Sequence, residues 1–98
     1  LSPSIADLSS FSDESYAIQL VVLQTIENAQ EYISEHRIIS SKIVKIRSEG
    51  EHWYVVILGI YESENEANSV ASEWQTEHKP SSKPWVRTLG PLKRAAVH

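Results

Sequence analysis

The chain has no cysteine and no methionine, one phenylalanine, three glycines and four prolines among 98 residues. Without thiols there is no disulfide framework, no thiolate metal site and no cysteine nucleophile. So little Gly and Pro excludes collagen-like and low-complexity chains. No apolar run approaches the roughly 20 residues that span a bilayer. No basic stretch precedes an apolar one as in a secretory signal, so the chain as given reads as soluble. Leu1-Ser2-Pro3, with no initiator Met, reads as a piece cut from a longer protein. Positive charge is also scarce: nine Lys plus Arg stand against thirteen Asp plus Glu, a net charge of −4. Phosphate-binding surfaces usually carry a basic excess, so nucleic acid is not an expected partner.

Signals for catalysis are missing too. His36, His52, His78 and His98 show no metal-ligand spacing. No nucleophile elbow, phosphate loop or HExxH segment occurs. The Glu residues fall on helical faces, where carboxylates are usually solubilising. The expectation is a non-enzyme without metal or cofactor.

What is present is a patterned single domain. Residues 1–15 hold Asp7, Asp13 and Glu14, many Ser and no Lys or Arg, and read as a linker with a short helical turn around Ile5 to Leu8. From Tyr16 to Leu23 the chain is β-branched and apolar, broken only by Gln19, as in a central strand. Thr25 is a candidate N-cap, after which Ile26, Ala29 and Ile33 recur at helical spacing up to about Arg37. Lys42 to Arg47 alternates basic and apolar residues like an edge strand, and Ser48-Glu49-Gly50-Glu51 is a turn with Gly50 at positive φ. Trp53 to Tyr61 is a second central strand. Ser63 and Glu66 fit a capping box, and Ala67, Val70, Ala71 and Trp74 mark the next helical face. Pro80-Ser81-Ser82 is a loop, Lys83 to Leu89 a last strand, and Gly90 to His98 carries no strong signal.

The two halves repeat. A shift of 38 residues lays Tyr16 on Tyr54, Leu20 on Leu58, Thr25 on Ser63 and Ala29 on Ala67. A doubled βαβ unit closes as an α+β, βαββαβ ferredoxin-like or ribonucleoprotein-like domain: a four-stranded antiparallel sheet with two helices on one face. The first and third strands are the most apolar and belong in the middle.

Alternation along each strand then assigns faces. Ile18, Leu20, Val22, Tyr54, Val56, Leu58, Val44, Ile46 and Val86 are expected to face the helices. Gln19, Trp53, Val55, Ile57, Gly59, Ile43, Lys45, Arg47, Trp85 and Arg87 are expected to face away, provided no bulge shifts the phase. Trp and Gln beside cations suit a sugar ligand. Indoles stack on the C–H faces of pyranose rings, an amide bonds hydroxyl or acetamido groups, and Arg clamps a carboxylate. Structural readings stay open beside these. Gln19 can be a buried amide satisfied by backbone, Trp53 a cap on a hairpin end, and Trp85 a partner for the C-terminal tail. Lys42, Lys45 and Arg47 can be edge-strand gatekeepers, and Gly59 a bulge. Trp74, on the helix stripe, is assigned to the core.

Tyr16-Ala17-Ile18-Gln19-Leu20, the Asn28-Ala29 helix, Trp53 through Ser63 with Glu66-Ala67, and Pro84-Trp85-Val86-Arg87 together resemble a SPOR domain over about residues 14–92. The resemblance implies a non-catalytic domain that binds septal peptidoglycan, on glycan strands stripped of their stem peptides. It implies a parent cell-division protein anchored in the bacterial inner membrane, with this domain monomeric in the periplasm at the division septum and other septal proteins as further partners. Residues 1–15 would be linker, 16–92 the domain and 93–98 a tail. By motif, Gln19 matches the family's glycan-face Gln, and Trp53 and Trp85 match aromatics of its division-protein members. Arg87, Lys45 or Arg47 would sense the lactyl carboxylate that a stem peptide otherwise masks, with Ile57 completing the glycan-binding list. Val21-Val22 and outward Val55 and Ile57 depart from the family's more polar pattern and leave room for residues 90–98 to cover the sheet. The competing reading is a protein-interaction module using the same face. An RNA-binding sheet fits less well, because the first strand offers Gln19 and Val21 rather than aromatics.

Overall fold

A computed structural model describes residue 8 and residues 10–36, 41–78 and 83–96. The elements run β1 (Tyr16–Leu23), α1 (Ile26–Glu35), β2 (Lys42–Ser48), β3 (Glu51–Tyr61), α2 (Glu64–His78), β4 (Trp85–Thr88) and α3 (Gly90–Ala95). The strands form one antiparallel sheet in the order β2-β3-β1-β4, with the two most apolar strands in the middle. This is the expected α+β, βαββαβ arrangement. The segment Arg37, the Pro80–Ser82 loop and the turn before Leu8 lie outside the described residues.

Local chemistry starts and stops each element. Thr25 Oγ1 accepts from the Asn28 amide at 3.1 Å, and Ser63 Oγ accepts from the Glu66 amide at 3.2 Å. Both helices of the repeat are therefore opened by a hydroxyl at the same register, satisfying amides that have no partner within the helix. Their ends also match. His36 stacks on Tyr32 and its Nδ1 lies 2.9 Å from the Tyr32 carbonyl, while His78 stacks on Trp74 with Nδ1 3.2 Å from the Trp74 carbonyl. Between β2 and β3, Ser48 pairs with Glu51 across the two-residue turn Glu49-Gly50. Both turn residues have positive φ, 54° and 81°. That is the requirement of a type I′ turn, whose twist matches the flanking strands.

The core on the helix face joins Ile18, Leu20, Val56 and Leu58 to Ala29, Ile33, Ala67, Ala71 and Trp74. A second core lies on the opposite face. Leu8, Leu89 and Leu92 cover Ala17, Val44, Val55 and Ile57, with Phe11 and Ala96 at the margin. This cover consists of α3 and the residues before β1. Pro91 sits in the first turn of α3, where its missing N–H costs nothing. The two parts are tied together. The Leu89 amide donates to the Ser15 carbonyl at 2.8 Å and the Gly90 amide to the Asp13 carbonyl at 3.1 Å. Lys93 Nζ donates to the Phe11 carbonyl at 2.6 Å and pairs with Asp13 Oδ1 at 2.7 Å. The far end of α3 reaches the β2 edge, where Ala96 bridges Ile46. The helix thus crosses the second face diagonally, from the end of β4 to the outer edge of β2.

Two register shifts correct the expected faces. On β1, Gln19 pairs with Ile57 and Val21 with Val56, so β1 carries an extra residue. Leu20 and Val21 both pack toward the helices, and Val22, expected inward, turns to the second face opposite Val55. On β3, an extra residue lies between Ile57 and Ile60, both on the second face. Gly59, expected outward, turns inward instead: a Cβ there would stand 2.7 Å from Tyr61 Oη, so any larger residue would displace the tyrosine ring that folds back over the bulge. On β2 the phase is inverted throughout. Ile43 pairs with Val56 and belongs to the helix-face core, while Val44 pairs with Val55 under α3. Lys45 and Arg47 therefore fall on the helix face, opposite Tyr54 and His52. With apolar residues adjacent at 43 and 44, alternation alone allows either phase.

Candidate functional site

Among the described residues, the second face is roofed along the diagonal. The corner beyond it is built by β1 and β4. Gln19 pairs with Trp85, and Ala17 with Arg87, which puts Gln19, Trp85 and Arg87 on one face of two neighbouring strands. Arg87 Nη1 donates to Gln19 Oε1 at 2.9 Å. The guanidinium carbon also sits 4.3 Å from the centroid of the Trp85 ring. The guanidinium thus lies over the indole, a contact of the cation–π kind. Trp85 remains 54% exposed and Val22 39%, and these are the exposed large apolar side chains among the described residues. Both lie on this corner. An apolar platform in water beside a fixed amide and a guanidinium marks a binding surface rather than a packing surface.

Half-burial lowers the pKa of Arg87 from its ordinary value through desolvation, although the group stays protonated at any physiological pH. Its Nε is buried with no hydrogen-bond partner. A buried donor left unpaired is costly. The side chain is thus held in place at the expense of one of its own bonds.

The other expected site residues fall in three places. Trp53 is on the same face as Gln19, at the row where β3 pairs with Ile46, and is half-buried. Ile57 is on that face too, but it is 0% exposed beneath the cover. It is a floor and not a contact surface. Lys45 and Arg47 are on the opposite face, with Lys45 Nζ 6.0 Å from the centre of the Tyr54 ring. Lys42 takes the second-face position opposite Ile57. The buried Ile57 separates it from Gln19. The second face is therefore partly covered, and the surface left over among the described residues lies toward β4.

The cover was the main feature that strand periodicity missed. Its signal was present in Leu89 and Leu92 at helical spacing around Pro91, and in Leu8 and Phe11 at the same spacing before β1. The Arg87–Gln19 bond, spanning 68 residues, had no local signal at all.

Among the described residues no helix is long and apolar enough to cross a membrane. No curated protein sequence matches the chain. The family model of the SPOR domain matches residues 12–88. That stretch begins within the segment tied to α3 and ends at the last residue of β4, so it contains the whole repeated βαβ unit and the corner built on it. SPOR domains are peptidoglycan-binding, non-catalytic modules of cell-division proteins. With most of its length matched and its sheet in the βαββαβ order, this chain belongs to the SPOR-domain family.

Proposed function

We propose that this domain binds glycan strands of septal peptidoglycan that have lost their stem peptides, and that it targets its parent cell-division protein to the division site. The observation that carries the reading is the corner itself. Gln19, Trp85 and Arg87 are joined by a 2.9 Å hydrogen bond and a 4.3 Å ring contact on the uncovered part of the sheet. Trp53 extends the same face along β3, so the proposed site is Gln19, Trp53, Trp85 and Arg87. Ile57 supports it from below, and Lys45 and Arg47 are left out.

The chemistry suits the ligand. A pyranose ring presents a C–H face that suits the exposed Trp85 indole, and its acetamido and hydroxyl groups suit an amide. The Trp53-Tyr54-Val55 and Pro84-Trp85 segments resemble the C-terminal domain of the cell-division protein DamX. That likeness favours a periplasmic domain on an inner-membrane parent, acting as a monomer among other septal proteins.

The test is sedimentation of the purified domain with purified sacculi before and after amidase treatment. Stronger retention on amidase-treated sacculi is expected. Retention that ignores amidase treatment would count against selection for denuded strands.

A further inference from the structure

The sheet has two edges, and they differ. β4 is four residues long, whereas β2 offers seven, Lys42–Ser48. A short edge is poorly suited to pairing with another chain, and a longer one is a ready template for it. Among the described residues, β2 has one partner on the side away from β3, the isolated antiparallel bridge of Ile46 with Ala96. The bridge shows that this edge accepts an antiparallel strand. It engages a single residue pair and leaves Lys42 to Lys45 with no strand beside them among the described residues.

Backbone phase decides which groups are available. A two-residue hairpin closes on a hydrogen-bonded pair, here Ser48 with Glu51, and bonded and non-bonded pairs alternate from there. Ser48, Ile46, Val44 and Lys42 therefore direct their N–H and C=O groups to β3, and Arg47, Lys45 and Ile43 turn theirs to the edge.

Side-chain charge is the second, independent observation. Lys45 and Arg47, two of the residues with edge-facing backbone groups, both stand on the helix face. Neither forms an ion pair among the described residues, where the pair is Lys93 with Asp13. On the second face, Val44 is buried and Ile46 half-buried. The edge is thus a basic stripe on a chain of net charge −4. A second copy of the chain fits it poorly, because β2 against β2 sets cations beside cations, the means by which edge lysines suppress self-pairing. An acidic strand meets the opposite condition.

We propose that the β2 edge takes an extended acidic segment of a partner protein as an added antiparallel strand, with carboxylates at alternate positions beside Lys45 and Arg47 and apolar side chains beside Val44 and Ile46. Backbone bonds at the edge supply affinity, and the two cations supply the choice of sequence. The added strand displaces Ala96 from Ile46, a single pair just past the end of α3. β2 and β4 are opposite edges of the sheet, so this site is separate from the corner at Trp85 and Arg87 and does not depend on the glycan reading.

The experiment is an NMR titration of the isotope-labelled full chain with capped synthetic peptides of about eight residues, a common strand length. One peptide alternates Glu with Val. A second alternates Lys with Val. A third is the Glu–Val peptide N-methylated at its Glu residues, whose N–H groups would face β2. The Glu–Val peptide is expected to shift the backbone amides of Ile43, Lys45 and Arg47 and to slow their hydrogen exchange. The other two are expected to bind about tenfold more weakly or worse. No binding of the Glu–Val peptide, shifts confined to other strands, or equal affinity for the Glu–Val and Lys–Val peptides overturns the proposal.

Two variants complete the test. Lys45→Gln combined with Arg47→Gln should fold with an undiminished thermal transition, bind the Glu–Val peptide more weakly and lose most of the salt dependence of that binding. Wild-type affinity and salt dependence overturn the proposal. A chain ending at Ala95 should bind the Glu–Val peptide more tightly than the full chain, because nothing then competes for Ile46. Binding seen only in that shorter chain overturns the proposal and makes the chain's own C-terminal residues the occupant of the edge.

Discussion

Arg87 holds Gln19 from the neighbouring strand at 2.9 Å while its guanidinium lies 4.3 Å from the centre of the Trp85 ring. One cation therefore contacts both an amide and an indole. The three residues are far apart in sequence, Gln19 in the first strand and Trp85 and Arg87 in the last, and antiparallel pairing of β1 with β4 brings them together.

Trp85→Ala is expected to remove glycan binding without unfolding the domain. The side chain is more than half exposed, so its loss changes stability by less than about 1 kcal/mol. A central aromatic contact is worth about 2 kcal/mol or more in binding. Gln19→Ala and Trp53→Ala should also weaken binding in a folded protein. Parallel glycan titration and thermal denaturation check this, and a variant that binds like wild type marks a residue outside the site.

Trp74→Ala should do the opposite. Trp74 is 6% exposed in the helix-face core, and truncating a buried Trp costs about 3–5 kcal/mol. Denaturant unfolding measures the loss. Any molecules still folded should bind glycan normally, because the residue lies across the sheet from the corner.

Lys45→Ala and Arg47→Ala should leave glycan affinity unchanged. Both side chains are on the helix face, opposite Tyr54 and His52. A substantial loss in either variant at moderate salt would mean that the ligand reaches around the β2 edge.

Glu49→Asn should stabilise the β2–β3 hairpin by up to about 1 kcal/mol, because Asn tolerates the left-handed conformation that Glu49 adopts at φ 54°. Thermal denaturation gives the answer, and a fall in stability would contradict a type I′ turn.

The tie between α3 and the segment before β1 should weaken in acid. The hydrogen bond and charge of Lys93 hold the Asp13 carboxyl below its ordinary value of 3.8. A carboxyl with a depressed folded pKa adds stability above its unfolded pKa and loses it as pH falls through the folded value. Amide exchange in residues 90–95 should therefore accelerate below about pH 3.8. Asp13→Asn should remove this pH dependence while leaving the Gly90–Asp13 backbone bond.

Much of the architecture is legible in amino-acid order because its causes are local. The strand at 16–23, the hydroxyl caps Thr25 and Ser63 and the turn at Gly50 each depend on residues within a few positions of one another. The 38-residue repeat then restricts how these pieces can close. The faces of β1 beyond Leu20, of β2 and of Gly59 were not legible. In β1 and at Gly59 a bulge changes side-chain phase by one residue, and its position is set by how two strands fit, whereas in β2 adjacent apolar residues at 43 and 44 allow either phase.

Amino-acid order thus decides which segments become strands and helices, where they begin, and that Gln19, Trp85 and Arg87 share a face. Three-dimensional packing decides how much of that face meets water. Leu8, Leu89 and Leu92 bury Ile57 because the chain before β1 and the chain after β4 emerge at the same end of the sheet and can close over it together. Burial of apolar surface is non-directional and draws in whatever apolar segment lies within reach. The extent of the cover, and with it the shape of the remaining corner, follows from the path of the backbone in space.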